Sequence, residues 1–239
     1  MSELVTKGAS VSEKELTDVD LKKIGCFSMK ELTADDVFAF KVAICDNEVD
    51  REFEVFPSQT LKRLAEMYIG KTVISNHDRK TENQCARIYD TYIENANGTT
   101  KAGEQYQRLV ACCYMARTPG NADLISEIEA GIKKEVSVCC AIGDVKCSIC
   151  GADNRKTFCE HYGGREYDGN LCYFRLERPK DAYEVSFVAV PAQPNAGVTK
   201  EYGGAKPKGK KTTDTDLVEL EMELAKSFIF AEKERMNEK

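Results

Sequence analysis

Histidine is nearly absent from this chain of 239 residues, which holds only His77 and His161. Any step that needs an imidazole, whether moving a proton near neutral pH or ligating a metal, falls to one of those two positions. Long apolar runs are missing too. No stretch approaches the roughly 20 residues of a membrane span, and residues 1–20 are polar and mixed in charge, without the apolar centre of a secretory signal. Positive charge is not in excess: 40 Asp and Glu against 34 Lys and Arg leave a net charge of −6. That balance argues against a nucleic-acid binder, whose footprint is basic. No internal repeat is visible. The expectation is a protein kept in a reducing cytosol, with neither a membrane nor nucleic acid as its partner.

Cysteine, by contrast, is abundant, at eleven residues. In a reducing compartment thiols pack, bind metal or react instead of pairing. Cys147, Cys150, Cys159 and His161 stand out by their spacing. Two cysteines separated by two residues form a tight turn that puts both thiolates on one side of a cation, and Gly151 lets this turn close. The Cys159/His161 pair then completes a tetrahedron. Four protein ligands leave no position for water, so the expected site is a structural zinc, with Cys172 a spare thiol able to replace His161. In the loop, Lys146, Arg155, Lys156 and Arg165 are set against Asp144, Asp153, Glu160 and Glu166. That balance favours a fold-stabilising knuckle over a nucleic-acid ribbon.

The pattern around the knuckle suggests an α+β protein: a β-rich, barrel-like or sandwich domain with flanking helices, an inserted knuckle and a C-terminal helix. Residues 1–23 read as a flexible arm, residues 24–200 as the domain with its loop at 146–168, and residues 201–239 as a Lys/Gly-rich linker and amphipathic helix. A helix is expected over 58–69, capped by Ser58 and ended by Gly70, with Leu61, Leu64, Met67 and Tyr68 sharing a face. A second is expected over 122–130. Strands are expected from about 24 through 44, and over 73–76, 106–115, 135–142, 171–176 and 183–190. No regular alternation of strand and helix supports a doubly wound fold.

Two of these strands carry candidate chemistry. In 133–140, Val136 and Val138 point to one face and Ser137 to the other; in 181–188, Val185 and Phe187 oppose Glu184 and Ser186. A serine hydroxyl needs a base, and His77 is the histidine left for it. A carboxylate such as Glu184 could orient that histidine. Residue types alone leave Ser186 and Cys139 as competing nucleophiles, with Cys112, Cys113 and Cys140 close by.

Three segments in this order resemble the tailed-phage prohead protease family, related in fold to the herpesvirus capsid maturation proteases. They are Gly70-Lys71-Thr72-Val73-Ile74-Ser75-Asn76-His77-Asp78, the stretch from Gly131 to Cys140, and Tyr183-Glu184-Val185-Ser186-Phe187-Val188-Ala189-Val190-Pro191-Ala192-Gln193-Pro194-Asn195-Ala196. The third is similar to the family's "EvSlVavPAnPnA" over its whole length. The resemblance implies a serine endopeptidase with His77 and Ser137 catalytic and an acid, Glu184 before Asp181, as third member. It implies the major capsid protein and scaffold as substrates and partners, possible homo-oligomers, and work in the host cytoplasm inside an assembling procapsid. The family's glycine-rich surround of the serine is replaced here by Val136, Val138 and Cys139. A catalytically silent assembly protein retaining the fold is the competing expectation.

Overall fold

The structure is a computed structural model that describes residues 16–193 and 196–198. The expected linker and C-terminal helix (201–239) and most of the arm lie outside the described residues, as do Pro194 and Asn195. The part of the arm that is described is a helix, α1 (Asp18–Gly25). Thr17 and Asp20 form a reciprocal capping box at its start, and Ile24 is fully buried beside Val37, Tyr89 and Cys112. The boundary expected at residue 23 therefore moves toward the N-terminus, and Ile24 belongs to a helix, not a strand.

Among the described residues α1 is followed by ten strands and two more α-helices: β1 (Val37–Asp46), β2 (Glu54–Val55), α2 (Ser58–Tyr68), β3 (Thr72–Ser75), β4 (Ala86–Thr99), β5 (Gln105–Ala116), α3 (Ala122–Glu129), β6 (Val136–Cys147), β7 (Glu166–Tyr167), β8 (Asn170–Leu171), β9 (Phe174–Phe187) and β10 (Gly197–Val198). The main sheet runs β10-β1-β5-β4-β3-β9-β2, with β6 also paired to β9. β9 runs parallel to β2 and β3 and antiparallel to β6. The fold is thus mixed and strand-rich, as expected, but no barrel closes among the described residues. Toward β10, the one hydrogen bond from β6 among the described residues is Val136 N–H to Ala196 C=O at 3.4 Å. No helix among the described residues is long and apolar enough to cross a membrane.

The core lies between this sheet and α2. Leu61, Leu64 and Tyr68 are fully buried, in one cluster with Phe38, Phe40, Val73, Val185 and Phe187. Ser58 does not cap α2. Pro57 stands at the cap position, and the Glu104 carboxylate accepts from both the Ser58 N–H (3.0 Å) and its hydroxyl (2.6 Å).

Two expected strands, 171–176 and 183–190, prove to be one. Pro179 cannot donate to a ladder, which suggests a break, yet β9 carries it at an irregularity opposite Ala141 and Ile142, with Arg178 at φ +52°. Gly143 makes this possible, because a Cβ there would sit 2.8 Å from the Arg178 carbonyl oxygen.

Candidate active site and metal knuckle

β3 and β9 run parallel and end together, Ser75 beside Phe187. The chain after β3 turns back over β9 through Asn76 and His77, both at φ +54°. Residues with a Cβ adopt that left-handed conformation at a cost of about 1–3 kcal/mol each, tolerated where surroundings enforce it. Here the enforcing bonds are explicit. Asn76 N–H donates to the Phe187 carbonyl (2.9 Å), and His77 N–H donates to the Ser186 hydroxyl (2.8 Å).

The turn lays the imidazole over β9. His77 Nδ1 lies 2.9 Å from Glu184 Oε1, with the Glu184 side chain 2% exposed and the His77 side chain 41% exposed. The second oxygen, Glu184 Oε2, is buried and has no hydrogen-bond partner. A buried carboxylate oxygen at this distance can accept from Nδ1–H, which would orient the ring and leave Nε2 without that partner.

Ser137 is the register partner of Ser186, and Cys139 that of Glu184. Paired residues share a face with Cβ atoms about 4.5–5.5 Å apart. Ser137, Cys139, Glu184 and Ser186 therefore lie on one face, and Val136, Val138, Val185 and Phe187 pack on the other with the core. Among the described residues no hydrogen bond joins His77 to Ser137. Ser186 is set apart from the nucleophile role: it is fully buried and its oxygen is engaged by the His77 amide. Sequence reasoning saw the serine without its task, which depends on a turn that alternation does not reveal.

Cys139 is held differently. Arg79 Nη2 donates to its sulfur at 2.8 Å, and the same guanidinium lies over the Tyr183 ring at 4.9 Å. The other thiols read as packing. Burial pushes Cys113 well above the usual thiol range and Cys140 up to about 12, so neither is a thiolate at neutral pH. Asp181 sits apart, contacting Lys71 Nζ at 3.4 Å.

At the opposite end of the β6–β9 pair, where Cys147 faces Phe174, the chain forms the knuckle. Ligand atoms of Cys147, Cys150, Cys159 and His161 all lie within 4.8 Å of one another. Tetrahedral thiolate ligands at ~2.3 Å from an ion are ~3.8 Å apart, so a modest contraction suffices. Gly151, at φ +72°, closes the first turn, its N–H bonding the Cys147 carbonyl at 2.9 Å.

The donor set fits a metal ion such as zinc on one further observation: His161 Nδ1 is buried without a hydrogen-bond partner, an orphan that coordination would satisfy. Burial disfavours the Cys159 thiolate, but hydrogen bonds from His161 and the neighbouring thiols outweigh it and bring the thiol down to about 7. Cys172 is fully buried with its sulfur 4.0 Å from that of Cys147, yet the converging set contains His161 in its place. Asp153 ties the knuckle to β6 by accepting from the Val145 N–H at 3.1 Å.

A cavity of about 810 Å³ lies away from both sites beside the start of α2, with Glu104 paired to Ser58 and Arg175 to Glu177 along its walls. A smaller one of about 280 Å³ is lined by Ser137. No family model, curated protein or solved structure matches this chain.

Proposed function

We propose that this protein is a serine endopeptidase of the prohead protease kind, acting on scaffold and capsid protein, and on itself, within an assembling procapsid in the host cytoplasm. The observation that carries the reading is the 2.9 Å contact between His77 and the buried Glu184, on the face that Ser137 shares one strand away. The family resemblance supplies the substrate and setting.

In this mechanism Ser137 Oγ attacks the scissile carbonyl carbon and its proton passes to His77 Nε2. The C–N bond breaks as that proton moves to the leaving amine. Water then repeats the sequence on the acyl ester, regenerating the serine. Glu184 accepts from Nδ1–H and offsets the imidazolium charge. Ser186 and the Asn76–His77 turn position the base. Cys147, Cys150, Cys159 and His161 would hold a zinc ion, whose task would be structural: fixing the loop between β6 and β9.

Replacing Ser137 with alanine and reading capsid-protein processing by intact mass tests this. Cleavage by the wild type that disappears in Ser137→Ala supports the reading; cleavage that survives transfers the role to Cys139, which the Arg79 contact makes the next nucleophile to examine. Assembly without cleavage in either chain would favour the silent assembly protein.

A further inference from the structure

The four-ligand knuckle has a fifth sulfur beside it. Cys172 Sγ lies 4.0 Å from Cys147 Sγ, and both side chains are buried. That is near van der Waals contact, and reaching the ~2.05 Å of a disulfide takes about 2 Å of movement shared between two side chains. The backbone holds the pair together. Ser148 N–H donates to the Tyr173 carbonyl at 2.9 Å, and Tyr173 N–H donates to the Ser148 hydroxyl at 3.0 Å, so the residues following each cysteine are joined. Cys172 N–H also donates to the Arg165 carbonyl at 2.7 Å, and its carbonyl accepts from Gly164 N–H at 2.9 Å. A tetrahedral ion satisfied by Cys147, Cys150, Cys159 and His161 leaves Cys172 a thiol without a metal. Cys150 is exposed and Cys159 half-buried, each with its sulfur within 4.8 Å of that of Cys147.

We propose that Cys147 and Cys172 form an oxidisable dithiol, entered through Cys150 or Cys159, with a hydroperoxide as the oxidant. The sulfur that solvent reaches attacks the O–O bond, becoming a sulfenic acid and releasing an alcohol, or water from hydrogen peroxide. The Cys147 thiol attacks that sulfur; the S–O bond breaks and the hydroxyl leaves with the thiol proton as water. Cys172 then attacks the Cys147 sulfur, and the entry cysteine departs as a thiol carrying the Cys172 proton. Two thiols have given two electrons and two protons to one peroxide. The final disulfide is shielded from solvent thiols, whereas a bridge to the entry cysteine is open to them. Losing Cys147 leaves three of the four metal donors, so oxidation releases the ion. The disulfide takes over the mechanical task, because it spans 25 positions of the same loop and Cys172 leads directly into β9 at Phe174. Reversible disulfides in reducing compartments serve redox sensing.

The test uses the full chain, loaded with zinc and treated with one equivalent of hydrogen peroxide. Remaining thiols are alkylated under denaturing conditions, and disulfide peptides are mapped by mass spectrometry after non-reducing digestion. The expected result is a dominant Cys147–Cys172 peptide, with Cys150 and Cys159 recovered alkylated and one zinc released per disulfide to a chromogenic chelator. A terminal bridge from Cys147 to Cys150 or Cys159, or a Cys172 that is still alkylated, overturns the dithiol. An oxidised chain that keeps its zinc overturns the release. The same mapping on the metal-free chain should give the same disulfide, so the dithiol stands or falls whether or not zinc loads.

A second measurement isolates the role of Cys172. Cys172→Ser keeps all four metal ligands and should bind zinc as the wild type does. Its oxidation should stop at a solvent-reached bridge, which glutathione reduces about tenfold faster than the buried wild-type disulfide. Equal rates of re-reduction in the two chains overturn the assignment. Proteolysis enters neither measurement, so failure of the dithiol leaves the endopeptidase reading standing, and failure of that reading leaves the dithiol.

Discussion

Replacing Glu184 with glutamine separates a catalytic carboxylate from a structural one, because the two roles predict opposite effects on stability. The carboxylate sits 2.9 Å from His77 Nδ1, which places the charges about 4 Å apart once the ring is protonated. At an effective dielectric of about 20 that is worth about 4 kcal/mol. The imidazole is 41% exposed, so solvent screening lowers the figure, and about 2–4 kcal/mol is a fair range. At 1.36 kcal/mol per decade, Glu184→Gln should slow turnover by about 30- to 1,000-fold with KM little changed. Glu184 Oε2 is buried and unpartnered, so the native protein already bears the cost of dehydrating that oxygen as part of an anion. Removing the charge should leave the melting temperature unchanged or raise it. Steady-state cleavage of a quenched fluorescent casein, beside calorimetry of the same samples, reads both. Turnover within threefold of wild type would refute the assigned role. A melting temperature that falls together with activity would show that Glu184 holds the fold.

Further outcomes follow from other parts of the molecule. Cys159→Ser should abolish stoichiometric metal by elemental analysis and raise hydrogen exchange in residues 147–172, leaving α2 as protected as before. In Glu104, burial opposes ionisation but the Ser58 and Asn47 hydrogen bonds outweigh it and hold its carboxyl below the usual value. Its stabilisation is therefore complete above the unfolded glutamate value of about 4.3 and lost as pH falls through the lower folded value. The melting-temperature gap between wild type and Glu104→Gln should be constant near neutrality and shrink below about pH 4.3; a gap that widens there would contradict this cap. Gly143→Ala should cost about 1–3 kcal/mol by pushing a Cβ onto the Arg178 carbonyl, measured by urea denaturation.

Much of the site was legible in the sequence because strand alternation is a strong signal. Val136 and Val138 against Ser137, and Val185 and Phe187 against Glu184 and Ser186, fixed which side chains share a face before any coordinates. The cysteine spacing was equally informative, since local turns bring such ligands together almost regardless of the rest of the fold. What stayed hidden was non-local or locally contrary. β4 (Ala86–Thr99) went unread because its second half, rich in Asn, Glu and Thr, is solvated and gains its strand character from β5. The continuity of β9 through Pro179 depends on Gly143, thirty-six positions earlier, which no local pattern reveals. The capping of α2 by Glu104 links residues forty-six apart, and propensity at Ser58 cannot anticipate it.

The β6–β9 pair gives the knuckle a meaning beyond local stability. Ser137 and Cys147 stand ten residues apart (147 − 137) on one strand, ~33 Å at an extended rise. Their partners Ser186 and Phe174 are reached only after the intervening loop. Two long strands that meet through such a loop can align in more than one register, and a slip of one residue exchanges their faces. Such a slip would turn Ser137 into the core and present a valine beneath His77. An ion held at Cys147 would work as a ruler, measuring out the strand so that the serine falls ten residues away.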